Sequence, residues 1–326
     1  MTRIALAAAV FALALPATAS ADPLLPPGKK VYTGVTGSKS VGPFAEQVGK
    51  HPSVFGFFTR WNGPVEYIYD SVQRAESRLM LHISTQDGYG TPEAVTPREI
   101  ANGQGDGYLI KTNRRIAEYG QPTYVRFLAE MNQANNGYCA YNHNGSSRGP
   151  SHSTRAFKQA WRRATLILRG GPIAGINAAL ERIGLPPVDL TEDLPQPQVA
   201  MLWVPQTEGT PNTRANRARA YWPGPKYVDW VGTDFYSKFP NFADLETFYD
   251  DFPGKPFVFG EWALWDGDDP GFVRRFFSFV NSHKRVRMLL YNQGNTSNGP
   301  FRLSRYPDSR KAIAKALKRK RFLGKP

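Results

Sequence analysis

The chain is predicted to be an α/β protein, a closed (β/α)8 barrel of the TIM type, on three observations. Short runs rich in β-branched and aromatic residues recur along it. Longer amphipathic stretches lie between them. The runs number eight, in a chain with no internal repeat, low-complexity linker or evident domain boundary. Strands alternating with helices read as parallel βα units, and eight such units in one chain of this length point to a closed barrel rather than an open sheet.

The predicted strands are residues 31–35, 54–60, 79–84, 123–130, 198–204, 229–236, 257–261 and 286–292. Helical spacing is found over 108–119, over 154–168, over 270–283 and over 307–320. In the second of these, Phe157, Ala160, Trp161, Ala164 and Leu168 step by three and four along one face. The third carries Phe272, Val273, Phe276, Phe277 and Val280, and the last carries Ile313, Ala316 and Leu317. Scattered Pro and Gly mark the turns.

Residues 1–21 read as a signal peptide. Arg3 gives a small positive start, and residues 4–15 are apolar but too few to span a bilayer. Ala19-Ser20-Ala21 supplies a small-x-small cleavage site. Residues 22–326 are then expected to form one catalytic domain, secreted, extracellular and cell-wall associated, with no stable membrane insertion. Cys139 is the only cysteine, so no intramolecular disulfide forms, and a hydrophobic content of 41% provides for a sizeable core instead. The net charge of +14 is unevenly placed: Arg310, Lys311, Lys315, Lys318, Arg319, Lys320, Arg321 and Lys325 fall in a terminal stretch with no acid. Such a basic C-terminal helix and tail attracts polyanions. For an exported protein an anionic cell wall or acidic glycan is the expected partner, and nucleic acid is not. The competing reading is a solvated helix face ending in a frayed tail. The chain is expected to act as a monomer.

Active sites in barrels of this kind gather at the carboxyl ends of the strands. The fourth predicted strand ends in Glu130-Met131-Asn132, and the seventh in Gly260-Glu261-Trp262. A carboxylate following apolar or small residues is costly unless paired, hydrogen-bonded or used. Two opposed carboxylates are what glycoside hydrolysis requires, one to protonate the leaving oxygen and one to attack the anomeric carbon or activate water. An ion pair with a nearby Lys or Arg is the structural alternative for each. A sugar groove also needs flat apolar faces and polar partners for hydroxyls. Trp61, Tyr138, Tyr141, Trp203, Trp262 and Trp265 are candidates for the first, in competition with core packing. Asn132, Gln206 and Asn292 are candidates for the second. The five histidines are dispersed without an HExxH, the glycines at 103–107 lack a following Lys-Ser/Thr, and no Ser sits in a GxSxG elbow. No metal and no cofactor are expected.

Several of these segments resemble glycoside hydrolase family 26, which includes β-mannanases and whose barrels carry catalytic glutamates on strands four and seven. The family's strand-four motif runs Arg-Pro-x-His-Glu-Met-Asn, and this chain has Arg126-Phe127-Leu128-Ala129-Glu130-Met131-Asn132. Trp203-Val204-Pro205, Tyr221-Trp222-Pro223-Gly224, the stretch from Tyr227 to Gly232, and Lys255-Pro256 through Gly260-Glu261 are similar as well. The likeness covers about residues 120–295; the first hundred residues match by layout. It implies a retaining mechanism, with Glu130 as acid/base, Glu261 as nucleophile, Tyr236 donating a hydrogen bond to Glu261, and Arg126 supporting the carboxylates from beneath. Arg126, Asn132, Trp203, Tyr236 and Trp262 are the expected substrate-binding set. Ala129 stands where the family has His and Phe127 where it has Pro, which removes a familiar sugar contact beside the acid/base.

The expected function is therefore a secreted endo-acting β-glycosidase with a polysaccharide substrate, β-mannan first and other β-glucans or xylans behind it. The alternative is a barrel that binds wall polysaccharide without cutting it.

Overall fold

The β-branched and aromatic runs become eight parallel strands that close on themselves. In the computed structural model, which describes residues 24–326, these are β1 (Val31–Thr36), β2 (Val54–Arg60), β3 (Arg78–Ser84), β4 (Thr123–Phe127), β5 (Val199–Trp203), β6 (Trp230–Tyr236), β7 (Phe257–Ala263) and β8 (Val286–Asn292). β1 pairs with β8 on one side and with β2 on the other, which closes the barrel. The signal peptide expected at 1–21 lies outside the described residues.

Helices α1 (Gly42–Val48), α2 (Glu66–Arg74), α3 (Pro97–Ala101), α4 (Asp106–Tyr119), α5 (Thr154–Arg169), α6 (Ile173–Glu181), α7 (Phe242–Asp251), α8 (Pro270–Ser282) and α9 (Pro307–Leu317) form the outer layer. Local chemistry sets their ends. The Ser153 side chain accepts from the Ala156 amide at the start of α5, Asp269 accepts from Phe272 at the start of α8, and α4 stops at Gly120, whose φ of 69° suits glycine. The β5–β6 connection departs from the expected alternation: it holds three 3-10 turns and no α-helix.

Strand alternation divides the apolar residues into two sets. Tyr32, Val54, Met80, Tyr124, Leu202, Trp230, Val258, Met288 and Leu290 fill the barrel. Val31, Phe55, Leu79, Val125, Met201, Val231, Phe257 and Leu289 face the helices.

Two expectations are corrected. The fourth strand ends at Phe127 rather than at 130, because Leu128 and Glu130 take φ values of 44° and 51°, outside the extended range. The terminal stretch is not a frayed tail. After α9 the chain forms β9 (Phe322–Leu323), which pairs with Val31 and Tyr32 at the start of β1. Lys50 Nζ donates to the Phe322 carbonyl (2.8 Å), Thr33 Oγ1 to that of Leu323 (2.7 Å), and Arg321 Nη1 to that of Val280 (2.7 Å). Of the eight basic side chains, Lys311 pairs with Asp308 and Lys325 with Glu76, while Lys318, Arg319 and Lys320 are exposed.

Candidate active site

Glu261 reaches the barrel interior through an irregularity. Along β7, Val258 points inward while Phe257 and Phe259 face the helices. Strict alternation would then turn Gly260 inward and Glu261 outward. Opposite β6, however, the register shifts: Thr233 pairs with Phe259 and Asp234 with Glu261, so Gly260 is the extra residue of a bulge. The bulge resets the alternation, bringing Glu261 inside and sending Trp262 out. Glycine suits the position, since a Cβ on residue 260 would lie 2.9 Å from Arg126 Nε and 3.0 Å from Asp234 Oδ1 and would force these side chains to shift.

Three side chains converge on the Glu261 carboxylate. Arg126 Nη1 donates to Oε1 (2.6 Å), and Asn292 Nδ2 (2.7 Å) and the Tyr236 hydroxyl both donate to Oε2. Arg126 is buried and also pairs with Asp234, on the inward face of β6. Burial alone would lower the Arg126 pKa, but the charges of Asp234 and Glu261 more than offset this and raise it, so the guanidinium stays charged. Its Nη1 also meets His82 Nδ1 at 3.1 Å, and burial with the nearby Arg126 charge holds the His82 imidazole well below its ordinary range, hence neutral. Burial pushes the Asp234 carboxyl well above its usual range against the pull of Arg126. Burial and the neighbouring Glu261 charge do the same to the Tyr236 phenol, which keeps its proton to donate.

Glu130 sits three residues past β4, on the turn whose backbone is anchored by Glu130 N to the Val204 carbonyl (2.7 Å). Its partners are neutral and longer: Gln206 Nε2 to Oε1 at 3.3 Å and Tyr89 Oη to Oε2 at 3.4 Å. Burial, and then the Glu261 charge, raise its pKa above the ordinary carboxylate value. The two glutamates thus face one cleft of about 1470 Å³ at the carboxyl ends of the strands with opposite electrostatic support. Glu261 is surrounded by hydrogen-bond donors, and Glu130 is biased toward holding a proton.

Arg126, Tyr236, Glu130 and Glu261 all line this cleft. Three expected substrate contacts do not. Trp203 packs against Trp222 and Phe252 in the helix layer because ordinary alternation turns it outward, and Trp262 stacks on Phe276 because the bulge at Gly260 turns it outward. Asn132 is fully buried and clamps the β4 and β5 loops together, donating to the Gln206 carbonyl (3.0 Å) and accepting from the Gln206 amide (2.9 Å). It thereby holds Gln206 against Glu130 instead of reaching a sugar. Among the other aromatic candidates Tyr138 and Trp265 line the cleft, whereas Trp61 is packed on Tyr108 and Phe127. Sequence reasoning missed Asp234, His82 and Tyr89. Asp234 was detectable, since it shares the inward face with Gly232 and Tyr236 at a spacing of two; nothing in the local pattern marks Tyr89.

No protein-family profile matches the chain, and no curated protein sequence matches it significantly. Solved structures do. The GH26A of Muricauda sp. MAR_2010_75 aligns with a TM-score of 0.58 at 15% identity, over 91% of this chain and 92% of that one. A GH26 β-mannanase from Bacteroides ovatus gives 0.58 at 15%, over 91% and 90%. A modular endo-β-1,4-mannanase of glycoside hydrolase family 26 from Cellulomonas fimi gives 0.59 at 14%, over 91% and 72%. At these identities the likeness establishes a shared (β/α)8 barrel.

Proposed function

We propose that the protein is a retaining glycoside hydrolase of family 26 that cuts internal β-linkages of a polysaccharide, with β-mannan the first substrate to test. The observation that carries this reading is the unequal environment of two carboxyls in one cleft: Glu261 held by Arg126, Tyr236 and Asn292, and Glu130 with a raised pKa beside two neutral partners. The structural neighbours include a GH26 protein and two GH26 mannanases, which supports the choice of reaction and of first substrate.

In this reading Glu261 attacks the anomeric carbon as the bond to the leaving sugar breaks, and Glu130 gives its proton to the departing oxygen. A glycosyl ester on Glu261 results. Loss of the Glu261 charge then lets Glu130, now ionised, accept a proton from the water that adds to the same carbon, which releases the sugar and restores both groups. Arg126, Tyr236 and Asn292 hold the nucleophile in a fixed orientation. The signal peptide at 1–21 and adhesion through exposed Lys318, Arg319 and Lys320 belong to the same proposal, which places the enzyme outside the cell against an anionic wall.

The test is release of reducing ends from a panel of β-mannan, β-glucan and xylan by wild type and Glu261→Ala. Turnover on one of these, abolished in the variant, is expected. The second reading, a barrel that binds without cutting, rests on Ala129, which puts a methyl group into the cleft where the resembled family has His. Retarded migration in a polysaccharide gel with no product from any member of the panel would establish it in place of the first.

A further inference from the structure

Tyr89 stands at the tip of the loop that follows β3, and it is 64% exposed. The base of that loop is tied down: Gln86 Nε2 donates to the Thr91 carbonyl, the Asp87 amide to Thr91 Oγ1 (3.1 Å), and Thr91 Oγ1 to the Gly88 carbonyl (3.0 Å). The tip is not. Gly88 and Gly90 flank Tyr89 with φ values of 115° and 78°, and no atom lies within 4 Å of where a Cβ would stand on either. Two glycines in open space let one large side chain turn on an anchored loop.

The hydroxyl of this side chain meets one particular atom. Gln206 reaches Glu130 Oε1 with an amide N–H, and its own Oε1 is occupied as acceptor by Thr210 Oγ1 at 3.2 Å. An amide N–H can only donate, so Oε1 of Glu130 must be an acceptor and the transferable proton belongs on Oε2. Oε2 is the atom that Tyr89 touches. A phenol can donate to that oxygen when it is ionised and accept from it when it is protonated, so one contact serves both states of an acid/base. The same oxygen must face the leaving sugar during bond cleavage, and it cannot give one proton to two acceptors.

Resting on the hydrolase reading above, we propose that Tyr89 is a positioning residue for Glu130, capping Oε2 until a polysaccharide chain binds and then ceding it to the leaving-group oxygen. Tyr89→Phe keeps the ring and removes the contact. Two measurements test it. The first is titration of the Glu130 carboxyl by 13C NMR in full-length protein labelled at glutamate, with Glu130→Gln to assign the signal. The contact to the ionised carboxylate is the stronger of the two, so losing it should raise the proton affinity of Glu130 about threefold, a shift of roughly half a pH unit upward. The second is kcat/KM on the best polysaccharide of the panel and on an activated aryl glycoside, whose departure needs little protonation. The loss on polysaccharide should be roughly three- to tenfold larger than the loss on the aryl glycoside. A residue with a merely structural role would move neither quantity, and thermal melting of Tyr89→Phe identifies any loss of fold. Wild-type hydrolysis with an unshifted Glu130 titration in Tyr89→Phe overturns the role of Tyr89 alone. A wild type that hydrolyses nothing overturns the hydrolase reading, and with it the transfer to a leaving group, whatever Glu130 titrates to.

Discussion

Glu130 and Glu261 are the same chemical group, and their neighbours make them different. Glu261 has one cationic and two neutral donors directed at its two oxygens. Glu130 has burial and a nearby negative charge against it. If the proposed roles hold, Glu261→Ala loses turnover on every substrate. Glu130→Ala falls by on the order of 10²–10⁴-fold on polysaccharide but retains activity on activated aryl glycosides, with azide restoring the second step. Equal loss in both variants without azide rescue would reverse or remove the assignment. The raised pKa of Glu130 also carries a stability consequence. Well below the ordinary glutamate value, about pH 3, the group is neutral in both folded and unfolded chains and costs nothing. As pH rises through the folded value, ionisation in a buried site becomes a cost to the native state. Glu130→Gln should therefore raise stability by about 1 kcal/mol at pH 7, with the gain absent near pH 3, as read by thermal melting at the two pH values.

At the scale of the element, the bulge in β7 determines which residue of the Glu261-Trp262 pair enters the site. Gly260 admits Arg126 Nε and Asp234 Oδ1 to positions that any Cβ would contest. Gly260→Ala should cost about 1–3 kcal/mol through overpacking. It should also lower kcat at least about tenfold by displacing the Arg126 guanidinium from Glu261. Denaturant unfolding and steady-state kinetics measure the two; an alanine variant with unaltered kcat would mean that the bulge is incidental to the carboxylate's placement. The β4 turn is the counterpart. Its left-handed residues Leu128 and Glu130 end the ladder early, and the Asn132–Gln206 clamp then fixes the acid/base from behind.

At the scale of the whole molecule, the C-terminal segment is a structural part of the barrel. Phe322 is buried and β9 completes the start of β1. Deleting residues 318–326 should destabilise the fold by about 3 kcal/mol, comparable to losing a large buried side chain, so truncation cannot isolate any wall-binding role. Replacing Lys318, Arg319 and Lys320 together with Gln leaves β9 in place and tests the charge directly. Binding to anionic wall material should weaken at low salt and be indistinguishable from wild type at high salt, where such charges are screened, with the melting temperature unmoved. Equal binding at low salt would show that these exposed charges are only solvated.

The barrel, its eight strands and the two glutamates at the carboxyl ends were legible in the sequence, because strand runs and helix faces are periodic patterns written locally in residue order. Glu261 could be named for the same reason, since it ends a strand run, whereas Arg126 and Tyr236 were named through the resemblance to family 26. What only the tertiary structure decided is the direction in which side chains point once periodicity breaks. A one-residue bulge at Gly260 put Glu261 inside and Trp262 outside, ordinary alternation buried Trp203 against helices, and two left-handed residues carried Glu130 beyond its strand. The pairing of Tyr89 with Glu130, of Asp234 with Arg126 and of β9 with β1 joins residues far apart in the chain, and the register and closure of the sheet bring them together. Local propensity acts over a few residues, whereas these contacts depend on the placement of whole strands, which no single segment encodes.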